Sequence, residues 1–176
     1  MLKPYALALS IFFPLGEYFQ IQDDFLNYSA LQENLGKVGS DIINNKCSWC
    51  IATALNLSTT EQRAILERNY GRKGDVEVGE AGGEHYEGTE HAAGGLCEAR
   101  VKQVYEAIGL RKVYADYQRQ VYRELNERID TIPEEGIIVD DEKVTSQGCL
   151  KKEVFRNILD EIYGRSDHEW ANLGLD

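Results

Sequence analysis

Basic charge is what this sequence is short of. Its 176 residues hold 19 Lys and Arg against 30 Asp and Glu, a formal net charge of −11. Nucleic acid is bound by cations that neutralise phosphates, so a chain this acidic is a poor candidate for that partner. A phosphorylated ligand would need divalent metal ions to bridge the like charges. Long apolar runs are also missing. The longest, YALALSIFFPLG over residues 5–16, is too short to span a membrane and contains Pro14. A secretory leader is not expected, because the only charge before that run is Lys3 and no small-residue cleavage site follows it. Four cysteines form no compact disulfide framework. Cys47 and Cys50 make a C-x-x-C, but no second pair or nearby His supports zinc. On a helix both thiols would share one face, so buried packing is the better reading. A reduced, cytoplasmic compartment fits this usage.

What is present is ordinary globular material. The length suits one domain over 1–176 with a sizeable core, and 43% of the residues are hydrophobic. Apolar residues recur at helical spacing almost throughout. Tyr18, Ile21, Gln22, Phe25 and Leu26 predict a helix over 15–27 that Pro14 starts or kinks. Asp41 is placed to cap a helix over 42–57. STTEQ carries a capping box, Thr59 with Gln62 or Ser58 with Glu61, opening a helix that runs through Tyr70 to Gly71. Residues 74–95 are Gly- and Glu-rich with no apolar period, which predicts a disordered insertion. Helix resumes at Val101, breaks at Gly109, and continues from Val113 to Ile129 until Pro133. A loop is expected over 133–149, in which IIV alone hints at a strand. A last helix is expected over 150–163, followed by a frayed tail. The class is all-α.

The chemistry starts from FQIQDDFLN, residues 19–27, where Asp23 and Asp24 sit between Ile21 and Phe25. Apolar neighbours imply partial burial, and a buried carboxylate needs a partner: a cation, a basic side chain or a helix end. On a helix, positions 23 and 27 share a face and position 24 lies about 100° around. D-D-x-x-N thus lines one edge with oxygen ligands, and Lys37, Asp41 and Lys46 follow. Hard oxygen donors without His or Cys suit Mg²⁺, which commonly shares its shell with a substrate phosphate. Lysines beside such a site act as point charges for phosphate oxygens. On spacing alone, the plain reading is an exposed helix end with solvated acids.

The longer strings carry more. LGEYFQIQDDFLN followed by GKVGSDIINNKCSW resembles the second aspartate-rich region of the farnesyl diphosphate synthase family, with the same intervening length. EQRAILERNYGRK, EARVKQVYEAIGL and EVFRNILDEIY resemble the helices that follow it there, so the likeness runs over residues 15–163 outside the two loops. The resemblance implies an isoprenoid-synthase helical bundle, represented by its C-terminal half. It also implies condensation of isopentenyl diphosphate with an allylic diphosphate, dimethylallyl or geranyl. On that resemblance Asp23, Asp24 and Asp41 match the Mg²⁺-binding aspartates. Lys37 and Lys46 match the lysines on the allylic diphosphate, and Phe19 and Gln20 match residues lining the active-site cavity. Mg²⁺ and lysines would stabilise the charge that builds on a departing diphosphate.

Four departures accompany the likeness. Asn27 and Asn44 stand where the family has acids. Arg165 is what remains of a basic tail. No first aspartate-rich motif precedes Leu15, so a fragment, a truncated gene product, a degraded copy or one part of a split protein is expected. Two function classes stay open: a prenyltransferase incomplete alone, and a non-catalytic homologue, self-associating or bound to a complete prenyltransferase. His85 and His91, set among glutamates, read as loop residues rather than metal ligands. Tyr105, Tyr114, Tyr117 and Tyr122 read as packing aromatics before cavity lining.

Overall fold

The structure is a computed structural model that describes residues 4–29, 40–72, 90–133, 137–139 and 148–165. Six helices carry the described fold: α1 Pro4–Ser29, α2 Trp49–Leu57, α3 Thr60–Asn69, α4 Glu90–Ala107, α5 Leu110–Asp130 and α6 Lys152–Gly164. Between the last two, β1 Ile137–Val139 pairs antiparallel with β2 Gly148–Leu150, Ile137 opposite Leu150. The IIV strand hint is therefore correct, and the loop expected over 133–149 contains a short hairpin. The all-α class holds. The chain divides into two compact units, residues 1–23 with 115–176, and residues 24–114.

In the first unit, Ala8, Ile11, Leu15 and Tyr18 follow a three-four spacing that keeps them on one face of α1. They join a buried cluster with Leu125, Ile129 and Ile132 of α5 and its end, and with Phe155 and Leu159 of α6. Pro14 neither starts nor ends the helix, which corrects the boundary expected at residue 15. A proline within a helix deprives the carbonyl four residues back of its N–H partner. That carbonyl is Ser10 O, and it accepts a hydrogen bond from Arg128 Nη1 at 3.0 Å. The guanidinium thus supplies the donor the proline lacks. Pro4, at the first helical position, is in the place where a missing N–H costs nothing.

In the second unit the core is aromatic. Phe25 stacks on Tyr114, ring centroids 3.8 Å apart and 6° from parallel. Tyr28 meets Phe25 and Tyr105 edge-on, and Trp49 meets Tyr114 edge-on. Tyr105 and Tyr114 are fully buried, and Tyr117 and Tyr122 half-buried in the first unit, consistent with packing. Thr59 and Gln62 form the expected capping box, with Gln62 N donating to Thr59 Oγ1 at 3.3 Å and Thr59 N to Gln62 Oε1 at 2.9 Å. Gly71 and Gly109 end their helices at φ +71° and +68°, a region cheap only for glycine.

Other expectations need correction. Helix α2 begins at Trp49, not at residue 42, because residues 41–45 close tight turns instead. Asn45 takes φ 54° there, a left-handed conformation that asparagine tolerates and that stops a helix. Cys47 consequently lies outside the helix and is exposed while Cys50 is buried, so the two thiols do not share a buried face. Helix α4 starts at Glu90, inside the insertion expected over 74–95. Two alanines in its first turn favour helix, and His91 falls in that turn. Residues 73–89 with His85, and the tail from 166, lie outside the described residues.

Arg128→Ala is expected to cost about 1 kcal/mol, the typical worth of one hydrogen bond. In a Pro14→Ala background the same change should cost almost nothing, because an alanine at that position restores the helical donor to Ser10 O. Urea unfolding of the four proteins of this double-mutant cycle measures the difference. Equal costs in both backgrounds would show that Arg128 acts elsewhere.

Candidate functional site

Asp23 and Asp24 occupy neighbouring positions on α1 and meet different environments. Asp24 is buried, at 6% exposure. Its Oδ1 accepts from Lys46 Nζ at 2.9 Å and its Oδ2 from the backbone N–H of Trp49 at 2.7 Å. Trp49 is the first residue of α2, and the residue before it, Ser48, makes no side-chain cap bond. Asp24 thus fills the capping role from another helix, placing negative charge at the positive helix end. Two of the three partner types expected for a buried acid here are present on one carboxylate: a basic side chain and a helix end. Asp23 is more than half exposed, and its nearest described cation is Arg165 Nη2 at 3.7 Å. Arg165 also lies over the Phe19 ring, 4.5 Å from its centre.

Lys46 also donates to Asp41 Oδ2 at 3.0 Å, so one ammonium bridges two carboxylates. The hydrogen bonds to Asp24 and then Asp41 hold this ammonium well above the ordinary lysine range, against a smaller opposing effect of burial. The turn that bears Asp41 and Lys46 is pinned on two sides. Asn27 Oδ1 accepts from Asp41 N at 3.2 Å. From the end of α3, Tyr70 OH donates to Lys46 O at 2.7 Å and Gly71 N to Ile42 O at 2.9 Å. A Cβ on Gly71 would come within 2.7 Å of Asn45 Cβ, so glycine is required by contact as well as by φ. Asn27, which departs from the family's acid, has a positional use: its neutral amide holds a backbone N–H. Tyr70 and Gly71 were not foreseen as site residues, and the Tyr-Gly pair closing a helix was the available signal. Cys50 packs beneath, its Sγ 3.5 Å from Asp24 O. Burial, and secondarily Asp24, push its thiol up, so it is not a ready nucleophile.

Phe19 and Gln20 are both exposed on α1, and Lys37 lies outside the described residues. Among the described residues no group of three or more His, Cys, Asp or Glu side chains is gathered to hold a metal ion. The oxygens of Asp24 are engaged by Lys46 and Trp49 N. The hard-oxygen character of Asp23, Asp24 and Asp41 suits Mg²⁺, which needs one or two carboxylates when phosphates complete the shell. No helix among the described residues is long and apolar enough to cross a membrane.

Comparison with known proteins bears on this geometry. A family model described as polyprenyl synthetase matches residues 3–82. The chain is 46% identical over 162 residues to a farnesyl pyrophosphate synthase of Ganoderma lucidum, covering 92% of this chain and 38% of that one. The corresponding protein of Candida albicans is 38% identical, covering 89% of this chain and 35% of that one. Among solved structures, Trypanosoma brucei farnesyl diphosphate synthase complexed with homorisedronate superposes with TM-score 0.59 at 28% identity, over 90% of this chain and 35% of that one. The chain thus spans a little over a third of the length of these relatives.

Lys46→Met should lower the stability of the second unit by about 1–3 kcal/mol, because it takes the ammonium away from the buried Asp24; the exposed side of the lysine tempers the figure. The sign with pH follows from the raised lysine. The contribution is fully present below the ordinary lysine value and disappears as pH rises through the higher folded one. The stability difference from wild type should therefore stay level from pH 6 to about 10 and shrink above it. Chemical denaturation across that range measures it, and a difference that falls between pH 6 and 9 would contradict the assignment.

Proposed function

We propose that this chain, which is similar to polyprenyl synthetases over residues 3–82 and to farnesyl pyrophosphate synthases over a little more than a third of their length, carries one diphosphate-binding wall of a prenyltransferase. The reaction would join isopentenyl diphosphate to an allylic diphosphate, dimethylallyl or geranyl, in isoprenoid biosynthesis. The observation that carries this reading is Lys46. Its ammonium is held in place by Asp24 and Asp41, on a turn anchored by Asn27, Tyr70 and Gly71.

Asp23, Asp24 and Asp41 would be the residues toward Mg²⁺, with substrate diphosphate oxygens and water completing the shell. Bound there, Mg²⁺ would supply charge neutralisation for a departing diphosphate. The protein's own residues do the rest. The Lys46 ammonium keeps its proton across the physiological range and offers a fixed positive charge to a leaving phosphate oxygen. Lys37 would offer a second. The Asp24 contact with the start of α2 keeps the turn from shifting when the charge of the ligand changes. Phe19 and Gln20 would line the cavity for the prenyl chain. The compartment proposed is the cytoplasm.

A second reading is favoured by one surface. Tyr5, Leu9, Phe12 and Phe13 recur on one side of α1 and are 40–72% exposed. An apolar helix face of that size calls for a cover. The alternative is therefore a non-catalytic homologue that self-associates or docks on a complete prenyltransferase.

The test is product formation from labelled isopentenyl diphosphate, geranyl diphosphate and Mg²⁺. The 176-residue chain alone should give no turnover above background. Mixed with a polypeptide that carries the family's other aspartate-rich motif, it should form product, and Asp23→Ala should reduce that by about 10². Robust turnover by the chain alone would sink the one-wall view. Failure in every mixture, with stable binding to a complete synthase, would favour the second reading.

A further inference from the structure

Helices α3 and α4 enclose a groove of about 610 Å³ within the second unit, a volume typical of small-molecule sites. It shares no residue with the Asp24, Asp41 and Lys46 cluster. Arg68 and Arg72 line it from the end of α3, Arg100 and Gln103 from α4, over an apolar floor of Ile65 and Val104. In a chain with net charge −11, every charged side chain among the described residues lining this groove is an arginine. The described acids on α4, Glu98 and Glu106, have partners of their own. Glu98 pairs with Lys102 at 2.6 Å, and Glu106 pairs with Arg111 at 3.0 Å while accepting from Tyr28 OH. Among the described residues no carboxylate pairs with Arg68, Arg72 or Arg100.

One of the three guanidiniums is built into place. Asn69 is 6% exposed, at the seam of the two helices. Its Nδ2 donates to Ile65 O at 2.7 Å, which orients the amide, and its Oδ1 accepts from Arg100 Nη1 at 3.4 Å. Arg100 is thereby drawn across from α4 towards the side of Arg68 and Arg72. Gathering like charges on one concave wall costs free energy unless an anion answers them. Guanidinium forks match the paired oxygens of phosphate groups. Three of them on a groove of this volume suit a compact anion with several charges, not an extended acidic chain.

We propose that this groove is a metal-independent binding site for a diphosphate group, either free inorganic diphosphate or the head of an organic diphosphate. Its independence from Mg²⁺ separates it from the aspartate-rich wall, where acids repel a bare diphosphate. The two sites therefore have opposite metal requirements, and failure at one does not imply failure at the other.

Calorimetric titration of the 176-residue chain at low salt in EDTA tests this. The probes are inorganic diphosphate, a short alkyl diphosphate and orthophosphate. Both diphosphates should bind, more weakly as salt is raised. Arg68→Gln with Arg100→Gln should weaken them at least tenfold, and Asp23→Ala should leave them unchanged. Tighter binding of the alkyl form would identify an organic diphosphate resting on Ile65 and Val104, and equal binding would identify the free anion. Circular dichroism checks that the double variant is folded. If it is not, the exposed Arg72→Gln alone carries the test, with a several-fold loss expected. No binding by wild type in EDTA would overturn the proposal. So would orthophosphate binding as tightly as diphosphate, or binding undiminished in the arginine variants.

Discussion

A carboxylate removed from water must be answered by donors on each oxygen, and Asp24 is where this chain meets that demand. One oxygen takes the Lys46 ammonium and the other takes the first N–H of α2. The two bonds join three pieces of sequence that local preference would leave independent: the end of α1, the turn at 41–46 and the start of α2. The bonds of Asn27, Asp41, Lys46 and Tyr70 form one connected network with Asp24. The turn cannot move without exposing or stranding Asp24, and its other contacts with Asn27, Tyr70 and Gly71 leave it little freedom to move.

The same constraint shapes what the aspartate pair can do. Asp24 and Asp41 share one lysine, so the cluster holds two negative charges and one positive. Those contacts set the geometry of the cluster before any ligand arrives. Asp23, facing solvent, keeps its carboxylate accessible. The adjacent acids thus meet different surroundings, Asp24 bonded into the scaffold and Asp23 more than half exposed. A helix provides for that difference directly, since consecutive residues point about 100° apart.

Charge is also sorted on a larger scale. An excess of acid over the whole chain coexists with a groove lined by three arginines and with lysines and arginines elsewhere paired to individual carboxylates. Pro14 belongs to the same pattern, because the carbonyl it orphans is met by Arg128. Guanidinium groups in this fold both answer an orphaned backbone carbonyl and line a groove.

How much of this was legible in the sequence can be judged residue by residue. The helical class, the capping box at Thr59 and Gln62, the helix breaks at Gly71 and Gly109, and the strand hint at Ile137 were readable because each depends on neighbours within a few positions. The similarity of LGEYFQIQDDFLN and GKVGSDIINNKCSW to a known family was readable for the same reason, since a motif is contiguous. The course of the helix through Pro14 was not readable, because the missing donor comes from Arg128, far along the chain. Nor was the start of α2, because Asn45 turns left-handed within a turn held by Tyr70 and Gly71. The sequence by itself determined which residue types face each other on each helix, and that Asp23 and Asp24 needed partners. Only the tertiary structure decided that Asp24 would take Lys46 and a helix end while Asp23 stayed more than half exposed beside Arg165. A partner brought near by folding is chosen by distance and direction in space, and neither is written in the local order of residues.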